Sequence, residues 1–276
     1  MTGRNEWQGR VGESWADEWR RTDRSFGGLT DRLLEVANAR PFRQALDIGC
    51  GAGEVSLALA RANPRANVVG IDVSEKLIEM ARDRGASLGN LEFVSGDAAR
   101  WEAASDPADL LVSRHGVMFF DDPYAAFGQL ARGAHPDARL VFSCFRARGL
   151  NPWASEISRL LGSADTAPDP EAPGPFAFAD PAHVTGILRA AGWIDIGMTE
   201  IDYAYVAGAG DNPVADALGF VTRIGPAASA IRDLGEAERD QLMIRLRSLL
   251  ASFAVEGVVA FPAAAWIVTA RPGGRR

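Results

Sequence analysis

A doubly wound α/β domain, built on a mostly parallel sheet of seven strands with helical additions, is predicted by two observations. From about residue 40 to 147 short apolar runs alternate with helical patterns. One of the strand-to-helix junctions in that stretch carries three alternating glycines, Gly49, Gly51 and Gly53. Strands alternating with helices imply right-handed crossovers and therefore parallel strands covered on both faces.

Element by element, residues 1–40 are polar and rich in Trp, Glu and Arg. Helical spacing in Trp15–Trp19 and in Leu29, Leu33, Leu34 and Val36 reads as two helices broken at Gly27-Gly28. Strands are predicted at Gln44–Ile48, Ala66–Asp72, Leu91–Val94, Ala108–Val112 and Arg139–Ser143. Helices fall at Val55–Arg61, Glu75–Arg82 and Pro123–Arg132. After 147 the rhythm changes. Trp153–Leu161 reads as a helix, and the proline-rich Ala167–Pro175 is excluded from regular structure. Pro181–Ala191 reads as a helix, Trp193–Ala204 as a strand and 207–254 as mostly helical, ending in the amphipathic run Glu236–Phe253. A last strand follows at Ala264–Ala270.

Composition narrows the function classes. The 276 residues are 47% apolar and 24% charged, the balance of a globular chain. A net charge of −7 argues against general affinity for nucleic acid or anionic membrane. Cys50 and Cys144 show neither disulfide nor zinc spacing, so no metal is expected. The longest apolar run, Gly257–Val268, is shorter than the roughly 20 residues a membrane span needs. The charged N-terminus lacks the apolar core of a signal peptide, so a cytoplasmic location is expected.

The glycine junction reads Asp47-Ile-Gly49-Cys50-Gly51-Ala-Gly53-Glu54. Glycine lets the backbone turn sharply and lie against a ligand, and the following helix N-terminus suits an anionic group. A dinucleotide fingerprint needs a glycine where Glu54 stands, and a Walker loop needs Gly-Lys-Ser/Thr, so NAD and ATP both lose ground. Asp72, at the end of the second strand, is placed to accept both hydroxyls of a ribose. Ser74 is the better helix N-cap there. Asp97, after the third strand, is either an acceptor for a purine amine or a turn residue beside Gly96.

Taken together, Asp47–Gly53, Gly70-Ile-Asp72-Val-Ser74, Ser95-Gly-Asp97-Ala98 and Ala108–Arg114 resemble, in order and spacing over about 40–147, the motif series of class I S-adenosylmethionine-dependent methyltransferases. The resemblance implies a Rossmann-like methyltransferase fold and S-adenosylmethionine as cofactor, with S-adenosylhomocysteine as product. It implies that Gly49, Cys50, Gly51 and Gly53 pass under the methionine and ribose parts, and that Asp47 helps hold the ammonium. Asp72 would bind the ribose and Val73 would lie against the adenine. Asp97 and the Ala98 N–H would take the adenine amine and a ring nitrogen, with the Ser113 backbone beside the methionine end. Gly12–Trp15, followed by Arg20 and Arg21, resembles the lid helices of small-molecule members, so that Trp15 either closes over the cofactor or packs the lid. The implied organisation is a lid (1–40), a cofactor core (41–147), helical substrate and lid insertions with a strand near 193–205 (148–262), and a final antiparallel strand with a tail (263–276).

Methyl transfer from a sulfonium needs alignment, shielding from water and, for an oxygen acceptor, usually a base. His115 follows the fourth strand and is the candidate base, the alternative being passive lining. His135 and His183 read as solvated bystanders. Arg114 is either a substrate clamp or, the favoured option, a salt-bridge partner of Asp121 or Asp122. Tyr203, Tyr205, Phe176, Phe178, Trp153 and Phe220 are candidates for an apolar substrate pocket or for core. The function expected is methyl transfer to a small organic molecule by a monomer or homodimer, with no nucleic-acid or membrane partner. A catalytically silent cofactor-binding regulator or assembly protein and a nicotinamide-dependent oxidoreductase are the alternatives.

Overall fold

The computed structural model describes residues 4–102, 106–162 and 172–274. Its strands are β1 (Gln44–Ile48), β2 (Asn67–Asp72), β3 (Leu91–Ser95), β4 (Leu110–Arg114), β5 (Arg139–Phe145), β6 (Trp193–Ala209), β7 (Ala254–Val255) and β8 (Val258–Pro272). They form one sheet in the order β3-β2-β1-β4-β5-β8-β6, with the two-residue β7 paired to β8. Pairings among β1 to β5 are parallel, and β8 runs antiparallel to both β5 and β6. Seven strands therefore make the sheet path. The addition, β7, is the short arm of a hairpin turned at Glu256 and Gly257, both with positive φ.

The helices are α1 (Arg4–Trp7), α2 (Arg10–Asp17), α3 (Trp19–Ala37), α4 (Glu54–Ala62), α5 (Glu75–Gly85), α6 (Pro123–Gly133), α7 (Pro152–Leu160), α8 (Pro181–Ala190), α9 (Pro213–Val221), α10 (Pro226–Ala230) and α11 (Glu236–Ser252). From β1 the chain winds outward through α4, β2, α5 and β3. It then returns to β4, beside β1, and winds the other way through α6 to β5. Right-handed crossovers put α4 and α5 on one face and α6 on the other. The reversal between β1 and β4 opens a crevice at their carboxyl ends, where ligands bind in such sheets.

Two expectations are corrected. The break at Gly27-Gly28 does not occur, because α3 runs through both glycines. Phe26, Leu29, Leu33 and Ala37 on one face of that helix are buried. Burying each large side chain is worth about 1.5–3 kcal/mol, which outweighs about 1 kcal/mol for each glycine. So α3 is built into the body of the domain, packed on α4 and β4 to β6, while α1 and α2 rest on its surface. The second correction is that β6 continues to Ala209 and β8 begins at Val258, paired from Trp193↔Pro272 to Ala209↔Val258 with register shifts between Ile194 and Gly197 and between Val206 and Gly208. Pro262 masked the start of β8. It lies beyond Ala265, the last residue paired with β5, where proline disrupts little of the ladder. Residues 207–254 are mostly helical as expected, with α9, α10 and α11 between the end of β6 and the start of β7. Of the proline-rich stretch, residues 167–171 lie outside the described residues.

Candidate active site

Two loops cross at the carboxyl ends of β1 and β4. After β1, Gly49, Gly51 and Gly53 have φ of +65°, +56° and +87°, a backbone that glycine adopts without strain. A Cβ on Gly49 would stand 2.9 Å from Cα of Gly116 in the loop after β4, and one on Gly116 would stand 2.6 Å from the Ile48 carbonyl. The crossing is stitched by Ser113, whose Oγ donates to the Ile48 carbonyl at 2.7 Å and accepts from the Gly116 N–H at 3.1 Å.

Between this crossing and α1 to α3 lies a cavity of about 490 Å³, within the roughly 300–1,000 Å³ of small-ligand sites. Trp15, Asp47, Gly49, Cys50, Gly51, Asp72, Val73, Asp97, Ala98 and His115 line it. Gly53 and Ser113 do not reach its wall. Gly53 is the N-cap of α4, wedged where a Cβ would meet the Phe93 ring at 2.7 Å, and Ser113 is fully buried at the crossing.

Two of the three carboxylates are held by backbone N–H groups and the third by a hydroxyl. Asp72 accepts from the N–H groups of Gly51 and Ser74, each at 2.9 Å, and its burial raises its pKa against the pull of those bonds. Ser74 itself caps α5, accepting from Leu77 N–H. Asp97 accepts from Ala99 N–H at 2.9 Å and lies 3.7 Å from Arg100. Asp47 is buried, accepts from Ser56 Oγ at 2.6 Å and is pushed up to about 6 by burial.

A partly buried ion cluster joins the loops to α3. Arg114 contacts Glu54, lies 3.6 Å from Asp23 and donates to Thr30 Oγ1 at 2.8 Å. Arg84 pairs with Asp23 at 2.7 Å and donates to the Ala52 carbonyl. Arg114 is thus a salt-bridge residue, with Asp23 and Glu54 as partners instead of Asp121 or Asp122. Glu54, which argued against a dinucleotide, serves as its counter-charge.

His115 has φ +62°, donates its N–H to the Ser143 carbonyl at 3.2 Å and stacks on Phe145 with centroids 4.0 Å apart. Burial, with the neighbouring Arg114 charge, pushes its pKa down to about 3. A group that weakly basic is poorly matched to proton abstraction near neutrality, which weighs against the general-base reading and for passive lining or hydrogen bonding. Trp153 and Tyr205 line the cavity beyond it. Phe176 stacks behind Trp153, Phe178 and Phe220 are core, and Tyr203 lies off the wall. His135 and His183 do not line the cavity either. Among the described residues no group of three metal-binding side chains converges, and no helix is long and apolar enough to cross a membrane. Both cysteines are buried and unpaired.

Sequence reasoning missed Trp7, Thr22, Asp23, Phe26, Gly116 and Phe145, all on the wall. The α3 members were readable, since Trp19, Thr22, Asp23 and Phe26 recur at helical spacing on one face. Buried polar atoms without partners mark the cavity as a place for a ligand: Trp7 Nε1, Thr22 Oγ1 and His115 Nε2 are three of them.

Comparison with known proteins agrees with this fold. Residues 45–137 match the family model described as a methyltransferase domain. The nocamycin O-methyltransferase of Saccharothrix syringae is 30% identical over 188 residues, which cover 62% of this chain and 66% of that one. The chain spans between 37% and 66% of the length of the first curated relatives it matches. Among solved structures, the YcgJ protein of Bacillus subtilis aligns with a TM-score of 0.55 at 18% identity, over 89% of this chain and 98% of its own. A Haemonchus contortus phosphoethanolamine N-methyltransferase, solved with phosphomonomethylethanolamine and S-adenosylhomocysteine, aligns with a TM-score of 0.56 at 15% identity, over 95% of this chain and 57% of its own. Both likenesses are of fold.

Proposed function

The chain belongs to the class I S-adenosylmethionine-dependent methyltransferases, and we propose that it methylates a small organic molecule by in-line displacement. The observation that carries this reading is a single cavity with two unlike ends. One end offers the glycine loop, Asp72 and Asp97, and the other is lined by Phe26, His115, Phe145, Trp153 and Tyr205.

The residues present fit the cofactor. An ionised carboxylate has about four lone-pair sites. Gly51 and Ser74 use two on Asp72, which leaves capacity for two ribose hydroxyls. Asp97 and the Ala98 N–H would take the adenine edge, with Val73 and Leu77 against its face. Asp47 would hold the ammonium, and Trp7 and Trp15 would cover the site. When bound, the cofactor supplies a methyl group activated by positive sulfur, and the departing electron pair stays on sulfur as the thioether. The protein's part is to align the acceptor and exclude water, which the aromatic walls do. The acidic net charge supports an acceptor that is neither nucleic acid nor an anionic membrane.

Calorimetric titration with S-adenosylhomocysteine, with NADH in parallel, tests the cofactor assignment. Micromolar affinity for the first and none for the second is expected. Absence of S-adenosylhomocysteine binding overturns it. A panel of small phenols, amines and thiols incubated with methyl-labelled cofactor tests the acceptor class.

A further inference from the structure

The acceptor half of the cavity has flat walls. His115 stacks on Phe145, Trp153 stacks on Tyr205 with centroids 5.3 Å apart, and Phe26 meets both His115 and Tyr205 edge-on. The charges at its border, Asp23 and Arg114, face each other and are further paired with Arg84 and Glu54. In this lining His115 Nε2 and Thr22 Oγ1 are buried without hydrogen-bond partners. His115 holds its place in a left-handed backbone, which a non-glycine residue keeps only where its surroundings over-determine it. Its Nδ1 faces Ser143 Oγ at 3.4 Å. In the tautomer in which Ser143 Oγ donates to Nδ1, the ring proton sits on Nε2 and presents a donor to the cavity.

We propose that the acceptor is a flat conjugated molecule carrying an acidic hydroxyl, a phenol or enol bound as its oxyanion, and that His115 Nε2–H is the hydrogen bond that positions its oxygen. This rests on the methyltransferase reading and names the substrate class of that same site.

Two further considerations support it. A planar ring fills a slot between aromatic walls with little loss of its own conformational freedom. And no described side chain facing this half is suited to take a proton near neutrality. His115 is held neutral, Tyr205 is pushed well above its usual range by burial, and Asp23 and Arg114 are engaged in ion pairs. Asp47 lies in the other half, bonded to Ser56. The acceptor's proton therefore leaves to water before binding. The carbon–oxygen bond then forms as the carbon–sulfur bond breaks, the electron pair stays on sulfur, and no proton remains for the protein to accept. His115 is a positioning residue in this scheme.

The test uses the full chain loaded with S-adenosylhomocysteine, titrated calorimetrically with para-nitrophenol, phenol and cyclohexanol at pH 8. The nitrophenol is expected to bind at least about tenfold more tightly than phenol, because only it is ionised, and cyclohexanol is expected not to bind. In His115→Phe, which keeps the stack on Phe145, nitrophenol affinity should fall about tenfold while S-adenosylhomocysteine affinity stays within about twofold. His115→Gln, which restores an N–H donor, should recover part of the loss. For nitrophenols of graded acidity, affinity should fall as pH is lowered through each ligand's own pKa. A midpoint common to all of them and abolished in His115→Phe overturns the proposal, because the protein's own group would then be titrating. Equal affinity for all three ligands, or no affinity for any phenol, overturns the acceptor class. Failure of S-adenosylhomocysteine itself to bind overturns the methyltransferase reading instead.

Discussion

The two halves of the cavity are assembled by different rules. The cofactor half draws on residues between Asp47 and Ala98, each at or just past the carboxyl end of a neighbouring parallel strand, and Asp72 and Asp97 are aimed by backbone N–H groups. The acceptor half takes Thr22 and Phe26 from α3, His115 and Phe145 from the ends of β4 and β5, Trp153 from α7, Tyr205 from β6 and Ile224 from the turn after α9. The first half is local, so a few spacings encode it. The second exists only because distant segments converge, and aromatic stacking tolerates many sequences that converge in the same way.

The comparison is open to attack at the seam. Arg114 lies between the halves and is the shared partner of Asp23 and Glu54. Arg114→Met leaves two carboxylates without that cation in a largely buried setting. A loss of about 3–5 kcal/mol in unfolding free energy by chemical denaturation is expected. A loss under about 1 kcal/mol would mean the halves are joined elsewhere.

Asp72→Ala is expected to weaken S-adenosylhomocysteine about 100-fold, near 2.7 kcal/mol, with the fold retained. Trp153→Ala, in the other half, should change that affinity less than about twofold. Comparable losses in the two variants would erase the division. The pH dependence of the same titration sharpens it. Asp47 has its pKa raised to about 6, so it is ionised above that value and neutral below it. S-adenosylhomocysteine affinity should therefore fall as pH drops through about 6, approaching tenfold per unit, and Asp47→Asn should flatten the profile at a weaker level. A wild-type profile already flat from pH 7.5 to 5 removes Asp47 from the ammonium site.

The smallest effect expected is at Gly12 in α2, where an added Cβ would stand 2.2 Å from both Ser74 Oγ and the Trp7 carbonyl. Gly12→Ala should push α1 and α2 off the cofactor half. Affinity for S-adenosylhomocysteine should weaken about three- to tenfold, with stability lowered by no more than about 1 kcal/mol, because α1 and α2 rest on the surface. Full affinity would show that the N-terminal tryptophans do not cover the cofactor.

The sequence by itself determined β1 to β5, the glycine loop and the positions of Asp72, Asp97 and His115, because strand period, glycine spacing and strand-end acids are properties of short segments. Tertiary structure decided the rest. α3 passes through Gly27-Gly28 because its apolar face is buried, and no local propensity reports that burial. Gly116 is required by a backbone crossing with Gly49, a partner 67 residues away in the chain. Ser113, whose backbone was expected beside the methionine end, does not line the cavity, and its Oγ stitches that crossing. The same convergence set the chemistry of His115. The residue was visible as an imidazole in the right loop. Only its enclosure by Phe26, Phe145 and Arg114 lowers its pKa, because desolvation depends on what surrounds a side chain and not on its place in the sequence.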